Sequence, residues 1–126
     1  MAESSSHTNF AKAVANLKRS ISTPITEPRD LSGILKDFEM SYELSWKVLK
    51  KHLASEGHVT QGAKDVYTKA FQLGMIDSES VWLEMIEDRN QTAHVYDENG
   101  AKAICERIKA KYFSLFERLL KTVTHK

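Results

Sequence analysis

The feature that most constrains the fold is an apolar repeat every three or four residues, which runs through nearly the whole chain. This spacing places side chains on one face of an α-helix, whereas a half-buried strand would alternate apolar and polar residues. The first stripe consists of Phe10, Val14, Leu17 and Ile21. Pro24 and Pro28 end that helix and mark a loop. No strand-like alternation is found, so the chain is predicted to be all α.

Four more helices are predicted beyond the loop, and each carries its own apolar stripe. The stripe of the second helix is Ile34, Phe38, Tyr42, Trp46, Leu49 and Leu53. The third helix, over residues 63–73, ends at Gly74 and turns inward Val66, Ala70 and Phe71. The fourth is capped by Ser78 or Asp77 and buries Val81, Trp82, Met85 and Ile86. The last begins after Asn99-Gly100 and buries Ile104, Ile108, Tyr112, Leu115 and Leu119.

These helices predict one domain, an up-and-down bundle of four to five helices over residues 10–126. Residues 1–9 are polar and Ser-rich, so they are expected to form a disordered tail rather than a secretory signal. No apolar run is long enough to span a bilayer, and a cytoplasmic protein without membrane contact is expected. The single cysteine, Cys105, lies within a helical apolar pattern and is interpreted as a small buried residue.

The net charge of +1 hides an uneven distribution. Residues 77–98 contain seven acids and one base, whereas residues 101–126 contain seven lysines and arginines and two glutamates. Either neighbouring helices neutralise each other, or the basic helix offers a face to an anionic partner. We favour neutralisation, because a nearly neutral domain exerts no strong general attraction on nucleic acid.

The candidate chemistry lies where the fourth helix is predicted to end, in the segment Arg89-Asn90-Gln91-Thr92-Ala93-His94-Val95-Tyr96-Asp97. The guanidinium of Arg89 is permanently charged and matches phosphate oxygens. The imidazole of His94 titrates at about pH 6.5 when unperturbed, so it can accept or donate a proton near neutral pH. Asn90 precedes His94 by four residues and can orient its ring if the helix continues. The carboxylate of Asp97 can hold His94 in place or form an ion pair with Arg89.

Each of these residues also has a purely structural interpretation. Arg89 near a helix C-terminus complements the helix dipole and can pair with Asp88 or Glu87. His94 can be a hydrogen-bonded buried histidine, and Tyr96 can be a core tyrosine. No metal site is expected, because His52 and His58 lack a Glu or Cys that would complete a ligand set. No cofactor is expected either, since the chain has no glycine-rich phosphate loop.

Several segments together resemble a known family. Residues 38–50 read FEMSYELSWKVLK, residues 70–76 read AFQLGMI, and Trp82 and the segment 89–97 follow in the same order as in the nucleotidyltransferase substrate-binding family. This family is part of the larger HEPN group, whose mark is an arginine, a polar residue and a histidine four to six places after the arginine. Arg89, Asn90 and His94 match that mark.

The resemblance implies a helical bundle that forms a homodimer and brings two Arg/His motifs into one cleft. Many such domains cleave RNA without metal and act as toxins beside a minimal nucleotidyltransferase antitoxin. The residues implied to be catalytic are Arg89, His94 and Asn90. In some pairs the antitoxin attaches AMP to the tyrosine two places after the histidine, and Tyr96 occupies that position.

The chain departs from the family pattern in two places. Lys64 stands where many members have arginine, so a supporting phosphate contact there loses the planar fork. Val95 replaces a common threonine. Two alternatives to a ribonuclease stay open: a non-catalytic substrate- or nucleotide-binding subunit of a two-component nucleotidyltransferase, and a bundle with a structural or assembly role.

Overall fold

The computed structural model describes residues 2–93 and 97–124, and the side chains from residue 6 onward within those ranges. Its elements are α1 (Ala2–Ser22), α2 (Pro28–Ser55), α3 (Ala63–Gln72), α4 (Glu79–Thr92), α5 (Glu98–Arg107), a π-helical turn (Ile108–Tyr112) and α6 (Phe113–Thr124). The described part of the chain contains helices and no strand, which confirms the predicted all-α bundle. Because α5, the π turn and α6 follow without a gap, they form one continuous final helix.

The long helix α2 lies at the centre of the bundle. It packs against α1, α3, α5 and α6, while α4 packs against α3 and the π turn. Pro28 occupies the start of α2, where its missing N–H costs no hydrogen bond. Asp30 accepts hydrogen bonds from the backbone N–H of Thr26 at 2.8 Å and of Glu27 at 3.1 Å. These bonds, that from Thr26 first, lower the pKa of the Asp30 carboxyl below its ordinary value.

A chain of aromatic contacts joins the helices in the core. Phe38 of α2 stacks on Tyr112 with ring centres 5.7 Å apart, and Phe116 of α6 lies 6.2 Å from Phe38. Trp82 of α4 lies 5.9 Å from Phe116 and stacks on Tyr67 of α3 at 4.6 Å. Such pairs add about 0.5–1.5 kcal/mol each beyond the area they bury. This cluster therefore holds α3 and α4 against the long helices.

The structure corrects the predicted inner face of α3. Phe71 is 42% exposed, whereas Tyr67 is fully buried, and its hydroxyl lies 2.8 Å from Ser45 Oγ. The face of this short helix that meets the bundle consists of Val66, Tyr67 and Ala70, and position 71 lies at its edge. The hydroxyl of Tyr67 can be buried because Ser45 gives it a hydrogen-bond partner.

Two predicted boundaries also shift, and one predicted cap residue is confirmed. Residues 2–9 belong to α1 rather than to a disordered tail, and its described part is attached to the bundle: Lys51 Nζ donates to Ser6 Oγ at 3.0 Å. The final helix begins at Glu98, because Asp97 caps it by accepting from the N–H of Gly100 at 3.3 Å. Ser78 is the N-cap residue of α4, but its side chain makes no cap hydrogen bond.

Within the ranges 2–93 and 97–124, the helices lack the combination of length and apolar character that a membrane span requires.

Two glycines predict opposite effects of the same substitution. Gly33 lies inside α2 with open space around an added Cβ, so Gly33→Ala should raise the free energy of unfolding by about 1 kcal/mol through helix propensity. Gly74 has φ +78°, a backbone conformation that is unfavourable for a residue with a Cβ atom. Gly74→Ala should therefore lower the free energy of unfolding by about 1 kcal/mol. Urea unfolding of both variants checks this, and effects of the same sign would contradict the assigned backbone conformations.

Candidate functional site

Arg89 lies in the last turn of α4, and its side chain is directed to α2. The Nη1 atom lies 3.8 Å from Oε2 of Glu39, with the Arg89 side chain 28% exposed and that of Glu39 34% exposed. This separation is longer than a good charged hydrogen bond. The Nε atom is buried, and no acceptor among the described residues bonds to it. The described residues thus hold Arg89 loosely, and part of its side chain is in reach of solvent.

Thr92 connects Arg89 and Glu39. Its hydroxyl lies within hydrogen-bonding reach of Glu39 Oε2 and 2.7 Å from the carbonyl oxygen of Arg89. The hydroxyl can donate its proton to either acceptor. A small polar cluster therefore lies between the middle of α2 and the end of α4. It consists of Glu39, Arg89 and Thr92, and we refer to it as the Arg89 cluster.

Tyr42 extends this cluster towards the core. It lies one turn after Glu39 on α2 and is buried. Burial, and then the negative charge of Glu43, raise the pKa of the Tyr42 hydroxyl to about 12, while the positive charge of Arg89 opposes that rise. The hydroxyl is therefore protonated at neutral pH, and it is close enough to Arg89 to interact with its charge.

The other residues predicted from the sequence are less tightly connected to Arg89. Asn90 is exposed on α4, and Lys64 is exposed in the first turn of α3. The described contact of Asp97 is the helix cap to Gly100 rather than a contact to Arg89. His94 and Tyr96 lie outside the described residues, so their predicted roles remain predictions.

Glu39 and Thr92 are the members of this cluster that sequence reasoning missed. In the sequence, Glu39 lies opposite the apolar stripe of the second helix, a position typical of a solvated or partner-facing side. Thr92 follows Arg89 by three residues, a spacing at which helix side chains are neighbours, and this was the available signal. Nothing in the sequence alone indicates that α2 brings Glu39 to the end of α4.

Asp88 does not pair with Arg89, because its carboxylate forms an ion pair with Arg107 of the final helix. Arg107 Nε and Nη2 donate to the two carboxylate oxygens of Asp88 at 2.7 and 2.8 Å. Two further pairs join the same helices: Lys111 with Glu84 at 2.9 Å, and Arg118 with Asp77, just before α4, at 3.1 Å. This confirms that the acidic and basic segments neutralise each other.

Within the described part of the chain, the remaining reactive groups do not form a second centre. Burial raises the pKa of the Cys105 thiol to about 11, so this buried cysteine is a thiol and not a thiolate at neutral pH. Among residues 2–93 and 97–124, no three His, Cys, Asp or Glu side chains are grouped as metal ligands would be.

Comparison with known proteins agrees with the family resemblance. Residues 5–125 match the family described as "nucleotidyltransferase substrate binding protein like". The chain belongs to this family. The match covers almost the whole sequence, so the bundle and the Arg89 cluster both lie within the family's domain.

Three relatives illustrate the range of the family. A probable ribonuclease HepT of Haemophilus influenzae is 34% identical over 83 residues, which cover 62% of this chain and 57% of that protein. A crystal structure of a protein from Thermus thermophilus aligns with a TM-score of 0.84 and 31% identity over 90% of this chain and 98% of the other. The alignment to HepT thus spans little more than half of that relative.

The third relative is a Haemophilus influenzae protein whose structure is described as revealing the fold of a substrate binding domain of a nucleotidyltransferase. It aligns with a TM-score of 0.72 and 25% identity over 98% of this chain and 97% of the other. The two Haemophilus proteins carry different functional descriptions.

The loose pair of Glu39 and Arg89 predicts an effect on anion binding. Glu39→Gln removes the carboxylate that opposes Arg89, and a charge pair about 4 Å apart is worth about 1 kcal/mol in water. Inorganic phosphate should therefore bind to the variant up to about fivefold more tightly, as followed by the NMR signal of the Arg89 side chain.

Glu43→Gln is the matched control for this experiment. It removes the same charge from the same helix, but Glu43 accepts from Trp46 Nε1 at 3.3 Å instead of facing Arg89. Equal tightening in both variants would show a general charge effect and would contradict the specific pairing of Glu39 with Arg89.

Proposed function

We propose that this chain is a homodimeric, metal-independent RNA endonuclease, acting as the toxin of a toxin–antitoxin pair in the cytoplasm. Arg89 binds the scissile phosphate, His94 transfers the proton, and Asn90 positions His94. The observation that supports this most directly is the placement of Arg89, whose side chain is 28% exposed and whose ion pair with Glu39, among the described residues, is as long as 3.8 Å. Membership of a family with a probable ribonuclease among the relatives supports it further.

The reaction needs one proton acceptor, one proton donor and a positive clamp. A neutral imidazole takes the proton of the ribose 2′-OH, whose oxygen attacks the adjacent phosphorus. The bond from phosphorus to the 5′-oxygen breaks, and a protonated imidazole returns a proton to that leaving oxygen. The guanidinium of Arg89 stabilises the charge that develops on the equatorial oxygens. A 2′,3′-cyclic phosphate and a free 5′-hydroxyl result.

A homodimer supplies these groups more readily than one chain. Helix α4 ends at Thr92, two residues before His94, so no shared helix face directs Arg89 and His94 of one chain to one spot. A two-fold contact brings a second copy of each residue, and thereby both an acid and a base, into one cleft.

Regulation is proposed to occur through a nucleotidyltransferase antitoxin. In that reaction the Tyr96 hydroxyl attacks the α-phosphorus of ATP, a new bond from oxygen to phosphorus forms, and pyrophosphate leaves. The added phosphate is negative and bulky, so it competes with RNA for the positive charge of Arg89. The family's link to nucleotidyltransferases supports this partner.

The second candidate function is a non-catalytic subunit that presents a substrate or nucleotide to a nucleotidyltransferase. The description of the family and of the Haemophilus influenzae structure favours it. In this case Arg89 binds a phosphate of the substrate and no bond in RNA is broken.

Cleavage of RNA in the presence of EDTA tests the enzymatic proposal. The wild-type chain should produce fragments with cyclic phosphate ends, and His94→Ala should lower the rate by about 10²–10⁴-fold because general acid–base catalysis is lost. His58→Ala is the matched control, since it removes a histidine outside the proposed site and should retain the wild-type rate. If RNA is left intact by wild-type protein and nucleotide binding survives His94→Ala, the binding-subunit function is correct instead.

Mass spectrometry tests the proposed modification. The chain is incubated with ATP and the candidate nucleotidyltransferase, and wild-type protein should gain whole adenylyl units while Tyr96→Phe gains none. Loss of ribonuclease activity should parallel the gain in mass. An equal gain in Tyr96→Phe would contradict the assignment of this residue.

A further inference from the structure

A buried carboxylate lies directly behind the Arg89 cluster. The Asp88 side chain is only 10% exposed, and it accepts two hydrogen bonds from Arg107 at 2.7 and 2.8 Å. A third comes from the hydroxyl of Tyr112 at 2.5 Å. Burial and the neighbouring Asp88 raise the pKa of Tyr112, which keeps its hydroxyl protonated as a donor. We refer to Asp88, Arg107 and Tyr112 as the Asp88 clamp.

The π turn explains how two donors five residues apart reach one carboxylate. On a regular α-helix such residues lie about 140° apart around the axis, so Arg107 and Tyr112 would diverge. In a π turn the hydrogen bonds join residues five apart, which returns such residues to the same side. The turn spans Ile108–Tyr112 and thus covers the interval between these two donors.

Asp88 and Arg89 are neighbours in sequence but face different helices. Successive residues of an α-helix point about 100° apart, and here Asp88 meets the final helix while Arg89 meets α2. Any rotation or shift of the last turn of α4 that loosens the Asp88 clamp therefore also moves Arg89. His94 follows this turn in the sequence.

We propose that Asp88, Arg107 and Tyr112 are positioning residues, which set the place of Arg89 for the cleavage reaction through the last turn of α4. This inference rests on the proposed ribonuclease function for its catalytic consequence. The clamp does not touch the RNA. It acts by holding the backbone of Arg89 between two packed faces.

A positioning role has a distinct kinetic signature. The charge of Arg89 persists when the clamp is weakened, so the attraction of the site for RNA phosphates is largely kept. The alignment of the guanidinium with the reacting phosphate is lost, and a displacement of about 1 Å can reduce a rate by up to about 100-fold. The turnover number should therefore fall while KM changes little.

Tyr112→Phe is the most conservative test of the clamp. It removes one hydroxyl and keeps the ring that stacks on Phe38 at 5.7 Å. We expect kcat for RNA cleavage to fall at least fivefold with KM within about twofold, and Asp88→Asn to lower kcat further. Lys111→Gln is the matched control, because it breaks the Lys111–Glu84 pair between the same two helices without touching Asp88. It should retain the wild-type kcat.

Circular dichroism first establishes that each variant is folded at the assay temperature. Unchanged kcat in folded Tyr112→Phe and Asp88→Asn would overturn the inference, and so would a rise in KM that accounts for the whole loss. Equal losses in Tyr112→Phe and Lys111→Gln would also overturn it, because general loosening of the bundle would then explain them.

A second measurement separates this inference from the ribonuclease proposal. If wild-type protein and His94→Ala are equally inactive, the proposed function fails, and the NMR signals of Arg89–Thr92 decide the positioning inference. Those signals, including the Arg89 Nε–H, should shift in Tyr112→Phe and stay in place in Lys111→Gln. Signals that remain unmoved in both variants would overturn it.

Discussion

The placement of α4, and with it of Arg89, depends on the antiparallel pairing of the acidic α4 region with the basic final helix. Three ion pairs lie along this contact: Asp88 with Arg107, Glu84 with Lys111, and Asp77 with Arg118. The residue numbers fall along the acidic segment while they rise along the final helix, as expected for antiparallel segments. The pairs of Glu84 with Lys111 and of Asp77 with Arg118 are exposed and contribute little to stability on their own. In the third pair the Asp88 side chain is only 10% exposed and that of Arg107 is 35% exposed, so losing Arg107 would leave an uncompensated carboxylate in the core. It therefore specifies how α4 is placed.

In this arrangement α4 has one face packed against the rest of the bundle, the closed face, and one face in reach of solvent, the open face. The closed face holds Trp82 and Met85 in the core and Asp88 against the final helix. The open face carries Arg89, whose described ion-pair partner is Glu39 at 3.8 Å. A rigid element that displays one loosely paired guanidinium suits a site that must exchange an internal carboxylate for the phosphate of a ligand. Both functions proposed for the family use this property.

Sequence periodicity predicted the fold class and most of the core, because apolar spacing determines which helix faces are buried. Phe38 and Trp82 lie in the core as expected, while Phe71 does not, since a short helix edge has the same apolar signal as its centre. The uneven charge distribution correctly indicated that neighbouring helices neutralise each other. What local pattern could not predict were contacts between distant segments: Glu39 with Arg89, fifty residues apart in sequence, and the π turn that brings Tyr112 to the buried carboxylate. Those depend on how whole helices pack.

The central claim is that Arg89 of one protomer and His94 of the other form a shared cleavage site. Mixing two inactive variants tests it most directly. Arg89→Ala and His94→Ala chains are unfolded together, refolded together and assayed on RNA. A mixed dimer then contains one intact pairing of Arg89 with His94 across the interface. Its single imidazole can take the proton from the 2′-OH and return it to the leaving oxygen, so part of the wild-type activity should return. A mixture that contains mixed dimers and stays as inactive as either variant alone, beside an active wild-type control, would contradict it.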